Sequence, residues 1–276
     1  MSNNLDNTDI RLILFGGILV VMILWELIAP KRIPTYGRLV RWYSNLGITA
    51  INTLLTRIIF STSTVAFAWN IQQSGLGVFN QIGLPTLLET ILSIILLDLI
   101  IYLQHLIFHL APWLWRLHQM HHTDLDYDVT TALRFHPLEI IISMAIKLSA
   151  ILLLGISPSA ILIFIIILNG MAMFTHGNIK LPDSIDRLLR KLLVTPDMHR
   201  IHHSADKYEM NKNFGFNLSI WDKLFSTYLV ASRNENQPLD IGCTVFRNQK
   251  YLHLHWLLLQ PFMRSGEDSR KDGNAN

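Results

Sequence analysis

Eight of the chain's twelve histidines fall into three tight clusters. Neutral imidazole is a common nitrogen ligand for metal ions. A zinc site typically closes at four ligands, and a catalytic one keeps an open position. Eight imidazoles exceed what one ion can use, so the chain predicts a centre with two metal ions. The clusters are His105-x3-His109, His118-x2-His121-His122 and His199-x2-His202-His203.

Helical spacing gathers each cluster on one face, because residues three and four positions apart in a helix are neighbours. Asp98 and Tyr102 continue the stripe of His105 and His109, at spacings of four, three and four. We therefore expect Asp98 or Tyr102 to orient a metal-binding imidazole through the second nitrogen of the ring. His253 and His255 are only two positions apart and share no helical face, so we predict an interfacial amphipathic helix without metal ligands there.

The composition indicates a membrane protein. Half of the 276 residues are hydrophobic and 16% are charged, whereas soluble domains carry about 25% charged residues. The single cysteine, Cys243, excludes an internal disulfide and a cysteine-based metal site. The net charge of +3 is modest and Lys and Arg are dispersed, which gives a nucleic-acid-binding function little support.

Five segments approach the length of about 20 apolar residues that a bilayer span needs. The last two are joined by Gly155-Ile156-Ser157-Pro158, a turn signal that predicts a helical hairpin. The sequence thus predicts an all-α integral membrane protein with four to five membrane helices and a cytoplasmic helical cap that carries the histidines. The segments are residues 12–29, 46–69, 85–110, 138–154 and 160–174.

Charge orients these spans. Residues 30–45 carry four basic side chains and no acidic one, whereas residues 71–84 carry no charge. The positive-inside rule then puts residues 30–45 in the cytoplasm. This topology brings the three clusters to the cytoplasmic face, together with His136 at the start of the hairpin and His176 at its end.

Two cations interrupt the apolar runs. Arg57 and Lys147 are costly in lipid and are expected to face a partner or a cavity. Arg57 can pair with Asp98, or both cations can extend to an interface, and the sequence favours neither alternative. Among the other charged segments, Asp124, Asp126 and Asp128 predict a solvated acidic loop rather than metal ligands. Residues 264–276 are polar and charged, which predicts disorder.

The identity of the metal is less direct. Imidazole suits zinc, copper, iron and nickel. The chain lacks the His-Glu-x-x-His motif of zinc proteases and the Glu-x-x-His pairs of soluble di-iron bundles. An all-histidine centre with two metal ions, close to lipid chains, favours iron that activates dioxygen.

The histidine clusters and their surroundings resemble the fatty acid hydroxylase superfamily, which includes sterol desaturases and sterol methyl oxidases, and in particular its compact bacterial members. The resemblance covers roughly residues 40 to 230. Besides the clusters it includes Asp98-Leu-Ile-Ile-Tyr102-Leu-Gln-His105, Arg134-Phe-His136-Pro137-Leu-Glu139, Thr195-Pro-Asp-Met-His199-Arg-Ile-His202-His203-Ser204 and Asn213-Phe-Gly-Phe-Asn-Leu-Ser-Ile-Trp221-Asp222.

The resemblance implies a di-iron oxidoreductase that uses O2 and two electrons to hydroxylate, desaturate or cleave a lipid. Zinc can replace the iron in a purified sample. No His-Pro-Gly-Gly haem motif occurs, so electrons are expected from a separate ferredoxin, cytochrome b5-like protein or flavoprotein reductase. His136 is expected either to bind metal or to hydrogen-bond a ligand. The implied metal ligands are His105, His109, His118, His121, His122, His136, His176, His199, His202 and His203.

Three regions are expected: an N-terminal helix and basic loop in residues 1–40, the membrane and catalytic domain in 41–235, and an interfacial helix and polar tail in 236–276. Two other functions stay open. A membrane metal carrier or haem protein would need ligands along its spans, and a membrane zinc hydrolase would need neither O2 nor a reductant.

Overall fold

A computed structural model describes residues 7–60, 62–233 and 238–263. Within these ranges the regular structure is helical and no β-strand occurs, which confirms the all-α prediction. The predicted disorder of residues 264–276 lies outside the described residues. Three short 3-10 helices are Val129–Leu133, Gln249–Leu252 and Gln260–Phe262. The α-helices are α1 (Asn7–Ile28), α2 (Arg38–Ile59), α3 (Thr64–Gln73), α4 (Val78–Ile82), α5 (Thr86–Leu110), α6 (Pro112–His122), α7 (Pro137–Leu154), α8 (Pro158–Thr175), α9 (Asp183–Leu189), α10 (Pro196–His202), α11 (Lys207–Met210), α12 (Ile220–Leu224) and α13 (Leu254–Leu259).

The protein is a membrane protein with helical segments long and apolar enough to cross a bilayer. Large apolar side chains such as Leu24 and Ile28 lie exposed on the outside of the bundle, where lipid would contact them. The second segment is longer than residues 46–69, because α2, α3 and α4 follow each other closely. The five segments found among the described residues are Ile10–Ile28, Arg38–Ile82, Thr86–Leu110, Pro137–Leu154 and Pro158–Thr175.

The predicted hairpin is formed by α7 and α8. Gly155 ends α7 with a left-handed φ of 73°, a conformation that glycine adopts without strain. Ser157 then caps α8, because its hydroxyl accepts a hydrogen bond from the Ala160 amide. The carboxylate of Glu89 on α5 accepts hydrogen bonds from the Ser157 amide and hydroxyl, which ties the turn to α5.

Helix α8 lies at the centre of the bundle and packs against α1, α3 and α5. Its Ile161 and Phe164 are fully buried beside Leu97 of α5 and Ala68 of α3. This core brings the histidine-bearing ends of α5 and α8 to the same end of the bundle.

Buried side chains join the remaining segments to this core. Glu26 of α1 accepts hydrogen bonds from the amides of Val129 and Asn178. Leu257 of α13 is buried against Ile48 and Met120. The C-terminal segment is therefore packed on α2 and α6.

Candidate metal centre

Four helix ends supply the clustered histidines. His105 and His109 lie one turn apart at the end of α5. The short link at Ala111 leads into α6, whose last two turns carry the second cluster. The third cluster lies on α10, which Thr195 begins by accepting a hydrogen bond from the Met198 amide. His176 follows the last residue of α8.

The nine histidines form two adjacent groups, and within each group one nitrogen of every ring lies within 4.8 Å of the others. The groups touch through the stacked rings of His122 and His203, whose centroids are 4.4 Å apart. The five-histidine group is His105, His109, His118, His122 and His202, and the four-histidine group is His121, His176, His199 and His203.

Fixed acceptors hold four of the rings by their Nδ1 atoms. A carbonyl or carboxylate oxygen only accepts hydrogen bonds, so Nδ1 carries the hydrogen and Nε2 keeps its lone pair. Such outer partners set the tautomer and orientation of metal-binding histidines. The pairs are His105 with Phe214 O at 2.8 Å, His118 with Glu139 Oε1 at 2.7 Å, His202 with Lys212 O at 2.8 Å, and His176 with Ala172 O at 2.8 Å.

The free nitrogens point at one another. Nε2 of His105 lies 3.1 Å from Nε2 of His118 and 3.0 Å from Nε2 of His202. Each of these atoms bears a lone pair, so the contacts are repulsive unless a cation lies among them. A metal ion about 2.0–2.1 Å from each imidazole nitrogen would separate neighbouring nitrogens by about 3 Å. The donor set therefore fits a metal ion.

In the four-histidine group, ring nitrogens also face one another at short distances. Nε2 of His176 lies 3.1 Å from Nε2 of His121 and 3.2 Å from that of His199. Both ring nitrogens of His203 are buried without a hydrogen-bond partner, as are those of His122 in the other group. Buried polar atoms normally have partners, so these rings also fit ligands to a metal ion.

Burial favours the neutral form of six of these imidazoles, and neutral imidazole is the form that binds metal. Burial lowers the pKa of His202 to about 3. Burial lowers the pKa of His176 to about 4, against the opposing effect of the Ala172 carbonyl. The pKa values of His121, His122, His199 and His203 lie well below the ordinary value for the same first cause.

The tenth histidine, His136, lies outside both groups. It begins α7, and its Nδ1 accepts a hydrogen bond from the Leu138 amide at 3.2 Å. Its Nε2 lies 3.3 Å from the Leu258 carbonyl. The ring is thus occupied in capping α7 and in contacting the C-terminal segment.

Asp98 and Tyr102 hydrogen-bond no histidine ring. Asp98 accepts hydrogen bonds from the Trp221 indole at 2.8 Å and from the amides of Asn217 and Leu218. Asp98 lies seven residues, or nearly two helical turns, before His105. Its carboxylate therefore contacts the loop of residues 213–222 rather than a histidine ring. Asp98 therefore does not pair with Arg57, which is exposed.

Tyr102 acts on the same loop. Its hydroxyl lies 2.8 Å from the Thr227 hydroxyl, which donates to Asp222. Asp222 accepts from the Phe214 amide at 2.8 Å, and the Phe214 carbonyl receives the hydrogen bond of His105. Asp98 and Tyr102 are thus connected to His105 indirectly, Asp98 through the loop of residues 213–222 and Tyr102 through Thr227 and that loop.

The prediction of a solvated acidic loop is wrong. Asp124 and Asp128 are buried and both pair with Arg41, at 2.6 Å in each case. Burial would raise the pKa of Asp124, but the charges of Arg41 and Arg134 outweigh it and hold that pKa well below its usual range. Asp126 accepts hydrogen bonds from the amides of residues 35 and 36. The spacing of the three acids gave no sign of a buried arginine that precedes Asp124 by 83 residues.

Sequence reasoning missed two side chains beside the histidines. Glu139 holds His118, and its position two residues after the His136-Pro137 pair, in the first turn of an apolar helix, was the available signal. The ring of Phe135 stacks on His121 with centroids 4.4 Å apart. Both residues also line a cavity.

That cavity has a volume of about 300 Å³ and runs between α2, α5, α7 and α8. Its wall is largely apolar, with Ile101, Met144 and Leu168 among its residues. Glu139 is at the end next to the five-histidine group, and Lys147 lines it two turns further along α7. Pockets of this size bind small molecules.

Comparison with known proteins gives a consistent result. A model of the fatty acid hydroxylase family matches residues 90–227, half of the chain, and all ten predicted metal ligands fall within the match. No solved structure matches.

The curated relatives that match are named as hydroxylases or monooxygenases of lipids. The chain is 31% identical over 183 residues to ornithine lipid hydroxylase OlsE of Rhizobium tropici, covering 66% of this chain and 53% of that protein. It is 32% identical over 165 residues to alkylglycerol monooxygenase of Caenorhabditis elegans, covering 58% and 31%. It is 26% identical over 172 residues to cholesterol 25-hydroxylase of Rattus norvegicus, covering 59% and 56%. The match thus spans from about a third to about half of these relatives.

Proposed function

The chain belongs to the fatty acid hydroxylase family, and on that premise we propose that it hydroxylates a lipid C–H bond with dioxygen at two histidine-bound iron ions. The observation that carries the proposal is the pair of histidine groups beside an apolar cavity. In the balanced reaction, two electrons and two protons reduce O2, one oxygen atom enters the C–H bond to give an alcohol, and the other leaves as water. Bound iron would supply the activation of dioxygen.

The five-histidine group would hold one ion and the four-histidine group the other. Imidazole suits iron among several metals, so the donor set agrees with the proposal without singling iron out. His136 is not included, because its ring nitrogens already face Leu138 and Leu258.

The chain's own residues orient the ligands and hold the substrate. Glu139 and the carbonyls of Phe214, Lys212 and Ala172 keep hydrogen on Nδ1 and leave Nε2 free. The apolar wall of the cavity would bind a lipid chain and exclude water from the reacting carbon. Phe135 and Glu139 line the cavity and also contact rings of the histidine groups.

We further propose that the histidine groups face the cytoplasm, where a separate ferredoxin, cytochrome b5-like protein or flavoprotein reductase delivers electrons. The basic residues of 30–45 support this orientation. Residues 41–235 would then form the catalytic domain, with 1–40 and 236–276 as flanking regions.

Lipidomics of a deletion strain tests the function. We expect a lipid class to lose one oxygen atom on deletion and to regain it with the wild-type gene but not with His202→Ala. A lost double bond would instead indicate desaturation. If the strain accumulates only unhydrolysed esters, whether or not air is present, the protein is a hydrolase and the proposal is wrong.

A further inference from the structure

Lys147 presents a positive charge to the inside of an apolar cavity. It lies on α7 within a segment apolar enough to cross a membrane, and it lines the 300 Å³ cavity. An ammonium group is costly in such surroundings unless it has a partner. Within the described ranges Lys147 forms no ion pair, and Glu139, the acid of the cavity wall, is hydrogen-bonded to His118.

A second cation lies next to it. Arg11 of α1 lines a smaller cavity, and both cavities share Phe15 and Asn169. Nε of Arg11 is buried and has no hydrogen-bond partner. Arg11 and Lys147 are close enough for their like charges to interact, and among the described side chains no carboxylate pairs with either of them at this end of the cavity.

The cavity joins these cations to the metal centre. Glu139, Ser143 and Lys147 are four residues apart and all line it, so they lie on one face of α7 over about 12 Å. Between the two ends the wall is formed mainly by apolar side chains, among them Ile140 and Phe216. The shape and polarity suit a hydrocarbon chain with one anionic end.

We propose that the cavity binds a lipid by a carboxylate or phosphate group at Lys147 and Arg11, with its chain extending toward Glu139 and the five-histidine group. This names the substrate class of the proposed hydroxylase and rests on that function for the reaction, although binding is independent of it. The separation along α7 places the reacting carbon well along the chain, away from the anionic group.

Competition binding tests the proposal on the full chain in lipid nanodiscs, with radiolabelled palmitate as the probe. We expect palmitate or palmitoyl lysophosphatidate to compete at least about tenfold better than methyl palmitate, since a charged hydrogen-bonded pair is lost with the ester. The stronger competitor shows whether the anion is a carboxylate or a phosphate. Equal competition by the acids and the ester overturns the proposal.

Substitutions test whether the preference for the anionic lipid depends on Lys147. Lys147→Met should abolish the preference for the anionic lipid, Lys147→Arg should retain it, and Arg57→Met, at an exposed cation outside the cavity wall, should leave it unchanged. If Lys147→Met still prefers the acid over the methyl ester as strongly as the wild type does, the proposal is wrong. If Lys147→Met does not fold, Lys147→Gln and the comparison of acid with ester on the wild type still decide.

The experiments distinguish a failure of the proposed lipid binding from a failure of the proposed hydroxylation. A preference for anionic lipid without any O2-dependent product would refute the proposed hydroxylation and leave the anion site intact. An oxygenated product with equal binding of acid and ester would refute the anion site alone.

Discussion

Nδ1 of His118 lies 2.7 Å from Oε1 of Glu139, and both side chains are buried. The carboxylate fixes the ring so that Nε2 faces His105 and the centre of the five-histidine group. Glu139 also lines the cavity, so one residue links the position of a metal ligand to the wall of the substrate site.

Replacing Glu139 by Gln should weaken metal binding. The amide keeps the size of the side chain but loses the charge that raises the basicity of His118, and loss of such a partner costs about 10- to 100-fold in metal affinity. Metal titration of the purified protein measures the effect. Glu89→Gln is the matched control, since Glu89 is a buried acid on α5 that bonds Ser93 and Ser157 and no histidine. Equal affinity in Glu139→Gln and wild type would show that this hydrogen bond does not tune the site.

His202→Ala and His136→Ala should differ in metal content. His202 is a member of the five-histidine group, and its removal should lower the iron bound per chain from about two toward one. His136 caps α7 outside both groups, so its removal should leave the metal content unchanged and cost about 1 kcal/mol of stability. Elemental analysis and thermal unfolding give the two quantities. Loss of metal in His136→Ala would mean that this ring is a ligand after all.

The metal-free protein should lose stability as the pH falls below about 6.5. Burial lowers the folded-state pKa of His176 to about 4 and that of His202 to about 3, both below the ordinary 6.5. Between these values and 6.5 the unfolded chain binds protons that the folded chain does not, so stability decreases by up to about 1.4 kcal/mol per pH unit for each such group. Thermal unfolding at a series of pH values checks this. A melting temperature independent of pH from 7.5 to 5 would contradict the buried neutral rings, and His255→Gln, at an exposed ring, should leave the profile unchanged.

Breaking the buried ion pairs of Arg41 should destabilise the fold strongly. Arg41 bonds both Asp124 and Asp128, and removing one member leaves buried charges unpaired at a cost of about 3–5 kcal/mol. Arg41→Met should therefore lower the melting temperature far more than Lys31→Met, which removes a partly exposed pair with Asp197 worth about 1 kcal/mol or less. Similar shifts in both variants would refute a structural role for the Arg41 pairs.

The sequence predicted those features that short-range periodicity carries. We could predict that the imidazoles cluster from the spacing of His105 and His109 and from the repeated His-x2-His-His pattern. The apolar runs likewise predicted where the long helices lie. Contacts between distant segments were not accessible. Local spacing does not encode how α2, α7 and the loop of residues 213–222 pack. Three contacts depend on that packing: the ion pair of Arg41 with Asp124, the hydrogen bond of Glu139 to His118, and the chain of hydrogen bonds that connects Tyr102 to His105.

The paired histidine groups are proposed to insert oxygen from O2 into a lipid, and isotope labelling tests this most directly. Cells that express the wild-type chain or His202→Ala are grown under isotopically labelled dioxygen, and their lipids are analysed by mass spectrometry. We expect a lipid alcohol that carries the label in wild-type cells and is absent from His202→Ala cells. A product whose oxygen comes from water, or a labelled product that persists at the same level in His202→Ala cells, would contradict the proposal.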